Sequence, residues 1–425
     1  MKAGFSKRDI TPPLTIELDG YAPRNQYPVG VHDPIYVRSL AVTEDSTRLV
    51  ILSLDLLGLE KPWVDRIKQE IHRDLGIPFE NIIVSTTHTH SAPSTGIFRP
   101  TNHSWMENLV EHCLSATIEA FRKERPVRYG ASIGNVVGIN VNRRNIRGPV
   151  DTSVPVLRLE TERGVVATLY SFACHAVVLG PNNYYISADY PGASNRLIES
   201  YDECGALFLQ GASGDINPLV PSTKLTDVYN RGKGTFEEVE RMGKILAAEV
   251  LKTSNLIYET KENAEIKCLQ EGIELEIEEI PSPEKSWYEY RASRERKAKT
   301  SDYRELMKMG IAEMSNYRYF KLWQRLKDAR KVVTVLQACK IDDLLIVTLP
   351  GEALVEIALD LKKRFDEWKL IVAAYAGDYL GYIPTVEELK KGGYETSLPW
   401  RILTEESIRR LIEKTFEIVE KLVTS

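Results

Sequence analysis

Three of the chain's seven histidines stand where an apolar run gives way to a polar loop. Open α/β sheets present their functional groups at such positions. His88 and His90 lie in Ser85-Thr86-Thr87-His88-Thr89-His90-Ser91-Ala92-Pro93, entered from the apolar run 81–84. If extended geometry continues through them, their side chains point to opposite sides. That predicts separate duties, with one imidazole on a metal and the other beside it. His175 repeats the arrangement directly after the run 165–174. Neutral imidazole suits Zn²⁺, and a hydrogen-bonded core histidine is the plainer alternative for His175. Glu352 follows Leu349-Pro350-Gly351 and is expected to open a helix, whose positive end favours a carboxylate. It is there either as a cap or as a third ligand. Two histidines and a glutamate with an open position make an ordinary catalytic zinc site.

The loop Gln210-Gly211-Ala212-Ser213-Gly214-Asp215-Ile216-Asn217-Pro218 follows a short apolar run, and its glycines allow a ligand to approach closely. Asp215 can accept hydrogen bonds there. The loop lacks the GK[ST] ending of a phosphate-binding loop and the GxSxG of a nucleophile elbow. Cys174 adjoins His175 but sits in an apolar run, where cysteine behaves as a small buried hydrophobe. The other cysteines, Cys113, Cys204, Cys268 and Cys339, are scattered, with no CxxC pair. Neither a thiolate zinc knuckle nor a disulfide framework is expected.

Positioning these groups requires strands and helices in alternation. Apolar, β-branched runs at 49–57, 82–87, 165–174, 344–349 and 370–375 read as buried strands. Amphipathic patterns at 62–75, 105–123, 236–251, 353–368 and 405–423 read as helices, the last capped by Thr404. The pattern predicts an α/β class: a mixed-sheet hydrolase core with helices packed on it. Residues 282–329 are basic and aromatic with long helical patches. They are expected to be an inserted helical arm: a packed hairpin, a lid, or a contact for a homo-oligomer. No internal repeat or low-complexity linker is evident, so residues 1–425 are expected to form a single domain. A net charge of −5 gives no reason to expect a nucleic-acid partner. No run approaches the roughly 18–20 apolar residues of a transmembrane segment, and no signal peptide is evident. A cytoplasmic location is the default expectation.

In this order the segments resemble the N-terminal catalytic region of the neutral (non-lysosomal) ceramidase family. TTHTHSAP is similar to the family's ATHTHSGP, and FACHAV resembles its histidine-bearing strand. GDINP resembles GDVSPN, LPGE resembles PGE, and GYIPTVEEL resembles YxTTxEEY. The resemblance implies a zinc ion held by His88, His175, Glu352 and Tyr382, and a linear acyl amide as substrate, small or lipid-like. It implies that His90 exchanges a proton with the substrate and that Arg143 belongs to the site. Asn217 stands where the family has a serine, yet it can orient a carbonyl or an oxyanion. With Asp215, the expected catalytic set is therefore His90, Asn217, Arg143 and Asp215. The family's C-terminal β-sandwich domain is not expected in this chain. The resemblance thus implies amide cleavage in lipid metabolism by zinc-activated water. The alternatives are a hydrolase of a smaller polar amide or ester, and a metal-stabilised binding protein without catalysis.

Overall fold

Each of the five apolar runs is a strand, and each lies in a sheet that has helices on one side only. The computed structural model describes residues 1–228, 234–297, 299–326 and 329–424. The first sheet runs Ile82–Thr86, Thr47–Leu54, Tyr36–Glu44, Lys2–Asp9 and Arg125–Pro126, in that spatial order. The second runs Gly205–Gln210, Gly164–Phe172, Ser153–Thr161 and Arg128–Asn135. The third runs Ile266–Glu276, Lys331–Ile341, Leu344–Thr348 and Lys369–Ala373.

The three sheets share one plan that no repeat in the sequence announces. Each is antiparallel except for one edge pair, which is parallel and joined by a helix. The joining helices are Lys61–Leu75, Asp189–Asp202 and Val355–Arg364. A further helix follows each pair (His103–Arg122, Phe236–Asn255, Glu405–Thr424) and packs back on the opening strands of its own sheet.

Alternation along the strands explains why they read as continuous apolar runs. Leu49, Ile51 and Ile83 meet Leu157, Leu169 and Leu207 and also Ile346 and Ile371 in one central core between the sheets. Their neighbours Val50, Leu52 and Val84, or Val156, Phe172 and Phe208, or Leu345, Val347 and Val372, face the outer helices. Strands buried on both faces need no polar alternation. Each such side chain stabilises the fold by roughly 1.5–3 kcal/mol relative to exposure. The ends of the parallel edge strands therefore converge. The N–H of Ala374 donates to Gln210 O at 2.9 Å, that of Thr86 to Tyr375 O at 3.2 Å and that of Gly377 to Val84 O at 3.0 Å.

Residues Pro283–Lys297 and Tyr303–Leu326 form two helices packed on each other and on the body; residues 298, 327 and 328 of the arm lie outside the described residues. The cysteine expectation needs correction. Cys268 and Cys339 form a disulfide, because the pairing of Ile266–Glu276 with Lys331–Ile341 places them directly opposite each other. Sequence spacing could not reveal a partner 71 residues away. No helix among the described residues is long and apolar enough to cross a membrane.

Candidate metal centre

His88 reaches the site because the chain leaves its strand by an abrupt turn. The strand ends at Thr86, after which the Thr87 and His88 amides bond to Leu54 and Leu56 carbonyls, both at 2.9 Å. His88 takes a left-handed backbone, φ 61°, which costs a non-glycine residue about 1–3 kcal/mol. Tyr375 does the same at φ 54°, and its ring stacks on His88 with centroids 4.0 Å apart. Backbone strain is thus stored at two residues in mutual contact.

That turn overturns the expectation that His88 and His90 diverge. Extended geometry does not continue past Thr86, and the two Nε2 atoms lie 3.2 Å apart. His175 joins them from the end of the second sheet. Among the described residues, His88, His90 and His175 present ring nitrogens within 4.8 Å of one another, an arrangement that could hold a metal ion. His88 and His175 are buried, whereas His90 is partly exposed. A Cβ at Gly20 would collide with the His90 ring, the Tyr21 ring lies edge-on to it at 5.0 Å, and Arg24 Nη1 donates to its carbonyl at 2.5 Å.

Glu352 completes the convergence but does not open a helix. It sits in a two-residue bridge parallel to Tyr382 and Ile383, and the helix starts later, at Val355. A backbone bond from Glu352 N–H to Gly381 O at 2.9 Å turns its side chain inward, where Oε2 lies 3.3 Å from His88 Nε2 and 3.2 Å from His175 Nε2. Its other oxygen accepts from the Tyr379 hydroxyl.

The tautomers decide what this meeting means. His88 Nδ1 faces Leu57 O at 2.7 Å, and His175 Nδ1 faces Ser213 O at 2.5 Å. A carbonyl only accepts, so each Nδ1 carries the hydrogen, and in a neutral ring Nε2 is then a bare lone pair. Burial pulls the His175 pKa down to about 4, with the Arg143 charge adding to the effect, so this ring is neutral near pH 7. Burial, then the neighbouring imidazole of His88, takes His90 well below its ordinary value. Burial pushes the Glu352 carboxyl up, whereas any proton carried by the facing His88 or His175 ring pulls it well below its ordinary value, so the group stays ionised. His175 Nε2 and Glu352 Oε2 are buried without a hydrogen-bond donor. Acceptors facing acceptors in a buried site are costly unless a cation lies between them. The residues present therefore fit a metal.

Around this point lies a fixed polar wall. Arg143 Nη2 donates to the Tyr382 hydroxyl at 2.9 Å, Nη1 to Asn217 Oδ1 at 3.3 Å and Nε to the buried Glu395 at 2.8 Å. Asn217 Nδ2 donates in turn to Val228 O at 2.9 Å. Arg144 continues the wall, bonding Glu395 and Glu388, and lines a cavity of about 550 Å³ with Glu356 and Lys391. Asp215 lies behind the site. Its carboxylate accepts from the Val355 amide at 2.9 Å, capping that helix, and from Asn142 Nδ2 at 2.6 Å. The capping expected of Glu352 thus falls to Asp215, and burial raises the Asp215 pKa to about 6.

Sequence reasoning missed Tyr375, Tyr379, Ser213 and Glu395. The run Tyr375-Ala-Gly-Asp-Tyr379-Leu-Gly-Tyr382 carried a signal, since three tyrosines follow an apolar strand in a glycine-bearing loop. Cys174 is a buried hydrophobe beside His175, as its context implied.

A family model for neutral/alkaline non-lysosomal ceramidase, N-terminal, matches residues 1–228. A neutral ceramidase of Oryza sativa subsp. japonica is 24% identical over 51% of this chain and 31% of its own length. One from Drosophila melanogaster is 22% identical over 60% of this chain and 44% of its own. The matched stretches thus span less than half of those relatives. Among solved structures, neutral ceramidase from Pseudomonas aeruginosa superposes with a TM-score of 0.76 at 16% identity, covering 98% of this chain and 73% of that one. A ceramidase complexed with C2 gives 0.78, also at 16% identity, covering 100% and 75%. The mixed α/β fold is therefore that of the bacterial enzyme.

Proposed function

This chain belongs to the neutral/alkaline non-lysosomal ceramidase family, and from that membership we propose that it is a zinc-dependent hydrolase of N-acyl amide bonds. The observation that carries the reading is the buried meeting of His88 Nε2, His175 Nε2 and Glu352 Oε2 with no donor among them. Nitrogen and carboxylate ligands in this number suit Zn²⁺. We assign His88, His175, Glu352 and Tyr382 as its ligands. When bound, zinc supplies a water acidified to a pKa of about 7 and Lewis-acid polarisation of the scissile carbonyl.

The chain's own residues do the rest. His90, partly exposed and within 3.2 Å of His88, is held neutral by its depressed pKa and is placed to accept a proton from the attacking water and pass it to the leaving amine. Arg143 faces the Tyr382 hydroxyl and opposes the rise in its pKa that burial causes, which favours a phenolate ligand. Glu395 fixes that guanidinium from behind. Asn217 is oriented by Val228, so its carbonyl orients Arg143 while one of its two amide hydrogens is engaged. Asp215 sets the start of the 355–364 helix and positions the loop between the His175 and Glu352 segments.

The relatives are named for ceramide cleavage, and we extend to this chain the class of bond, a linear amide. A second reading, a smaller polar amide or an ester, is favoured by Asn217, which places no hydroxyl beside Arg143, and by the polar cavity behind Arg144. A short-chain N-acyl sphingoid amide, an N-acyl amino acid and a simple ester, each assayed with and without chelator, separate these readings. Amide turnover that chelation abolishes and zinc restores supports the proposal. Full turnover by His88→Ala overturns it, and no turnover of any probe by zinc-loaded protein favours a binding role.

A further inference from the structure

We propose that Arg318, on the inserted 303–326 helix, is a positioning residue for the metal centre, holding Tyr379 so that its hydroxyl fixes the Glu352 carboxylate. The inference rests on the metal reading given above and assigns the inserted hairpin a part in it.

One face of that helix is turned to the body. Gly310 approaches Ala22 so closely that a Cβ there would collide with its carbonyl. Met314 enters an aromatic cluster with Phe98, Tyr375, Tyr379, Tyr382 and Trp400. Arg318, Leu322 and Arg325 follow at spacings of four, four and three, which a helix brings to one side. Arg318 is fully buried, a position a guanidinium holds only when paired. Its Nη1 donates to Glu60 Oε1 at 3.0 Å and its Nη2 to Tyr379 O at 3.3 Å. Its plane also lies over two rings, 5.4 Å from the Tyr379 centroid and 5.8 Å from that of Phe98. Such stacked, forked contacts are particular to arginine.

Tyr379 is held at its other end by the same helix. Arg325 Nη2 donates to Asp378 at 2.7 Å, and Asp378 accepts the Tyr379 amide at 2.7 Å. With its backbone and ring fixed, the tyrosine delivers its hydroxyl to Glu352 Oε1, leaving Oε2 for the point between His88 and His175. Groups that orient a ligand in this way typically contribute 10–100-fold to metal affinity. The hairpin is thus a buttress whose charged residues end one bond away from the metal ligands.

The test measures zinc affinity of the full-length protein by competition with a chromophoric chelator, with thermal melting as a control for folding. Tyr379→Phe removes only the hydroxyl and should weaken zinc binding by about 10–100-fold. Arg318→Lys keeps the charge beside Glu60 but loses the stack and the fork. It should weaken binding by about tenfold in protein that still melts cooperatively without metal. The double variant should bind no more weakly than Tyr379→Phe alone, since both act through one hydroxyl. Unchanged affinity in either single variant, or losses that multiply in the double variant, would overturn the proposal. Wild-type protein that fails to bind zinc would instead refute the metal reading itself, so the two failures are distinguishable.

Discussion

Replacing Glu352 by glutamine should move the stability of the protein in opposite directions with and without metal. In the metal-free chain, Oε2 faces the lone pairs of His88 Nε2 and His175 Nε2 at 3.3 and 3.2 Å without a donor. An amide N–H₂ of the same shape can donate to either ring. It gains a hydrogen bond worth about 0.5–1.5 kcal/mol and relieves an unsatisfied buried acceptor costing about 1–3 kcal/mol. Metal-free E352Q should therefore be more stable than wild type by about 1–3 kcal/mol, which raises the melting temperature by a few degrees. With zinc the order reverses. A ligand present at a thousand times its dissociation constant stabilises by about 4 kcal/mol, and E352Q should lose most of this. Differential scanning fluorimetry with chelator and then with excess zinc reads both signs on one instrument. A fall in the metal-free melting temperature would contradict an unsatisfied Glu352 oxygen. It would show Glu352 held by imidazolium protons, in a cluster that needs no cation.

Three further outcomes follow from named contacts. Lys68 is buried with only carbonyl acceptors, Phe79 O at 3.2 Å, Gln270 at 3.1 Å and Gln337 at 3.0 Å, and burial lowers its pKa to about 7. The unfolded chain then binds more protons than the native one between about pH 7 and 10.5. Stability relative to Lys68→Met should rise across that window by up to about 5 kcal/mol, whereas a flat difference in urea unfolding would contradict the shift. Arg143→Lys should reduce amide turnover by at least about tenfold with zinc still bound, because one ammonium cannot reach Tyr382, Asn217 and Glu395 together. Unchanged kcat would remove Arg143 from the site. Thr235→Ala breaks the capping box with Glu238 and should cost about 1 kcal/mol in thermal unfolding without altering zinc affinity.

What the sequence disclosed and what it concealed have separate physical causes. The five strands were legible because both their faces are buried, so 82–84 within Ile82–Thr86 and 344–347 within Leu344–Thr348 run without a polar residue. The end of the 405–424 helix was placed by Thr404, whose hydroxyl accepts from the Ser407 amide at 3.2 Å. The threefold plan stayed hidden because backbone pairing and burial repeat while the residues do not. His88 and His90 were misdirected by a period-two argument that fails wherever φ turns positive, as it does at His88. Glu352 looked like a helix opener because a strand, a turn and a helix follow in order there, and only tertiary pairing with Tyr382 shows the bridge between them. Tyr375 and Tyr379 were marked only by the cluster of tyrosines in 375–382, because their partners, like that of Glu395, lie far away in sequence. Glu395, for example, meets Arg143 across 252 positions.

The central claim is that His88, His175 and Glu352 converge on a cation. Metal content of the purified full-length protein, measured by elemental mass spectrometry beside His175→Ala after both have been offered zinc and dialysed, tests it most directly. Wild type should carry about one zinc per chain and the variant none above background. No metal in the wild type, or an equal amount retained by His175→Ala, would contradict it.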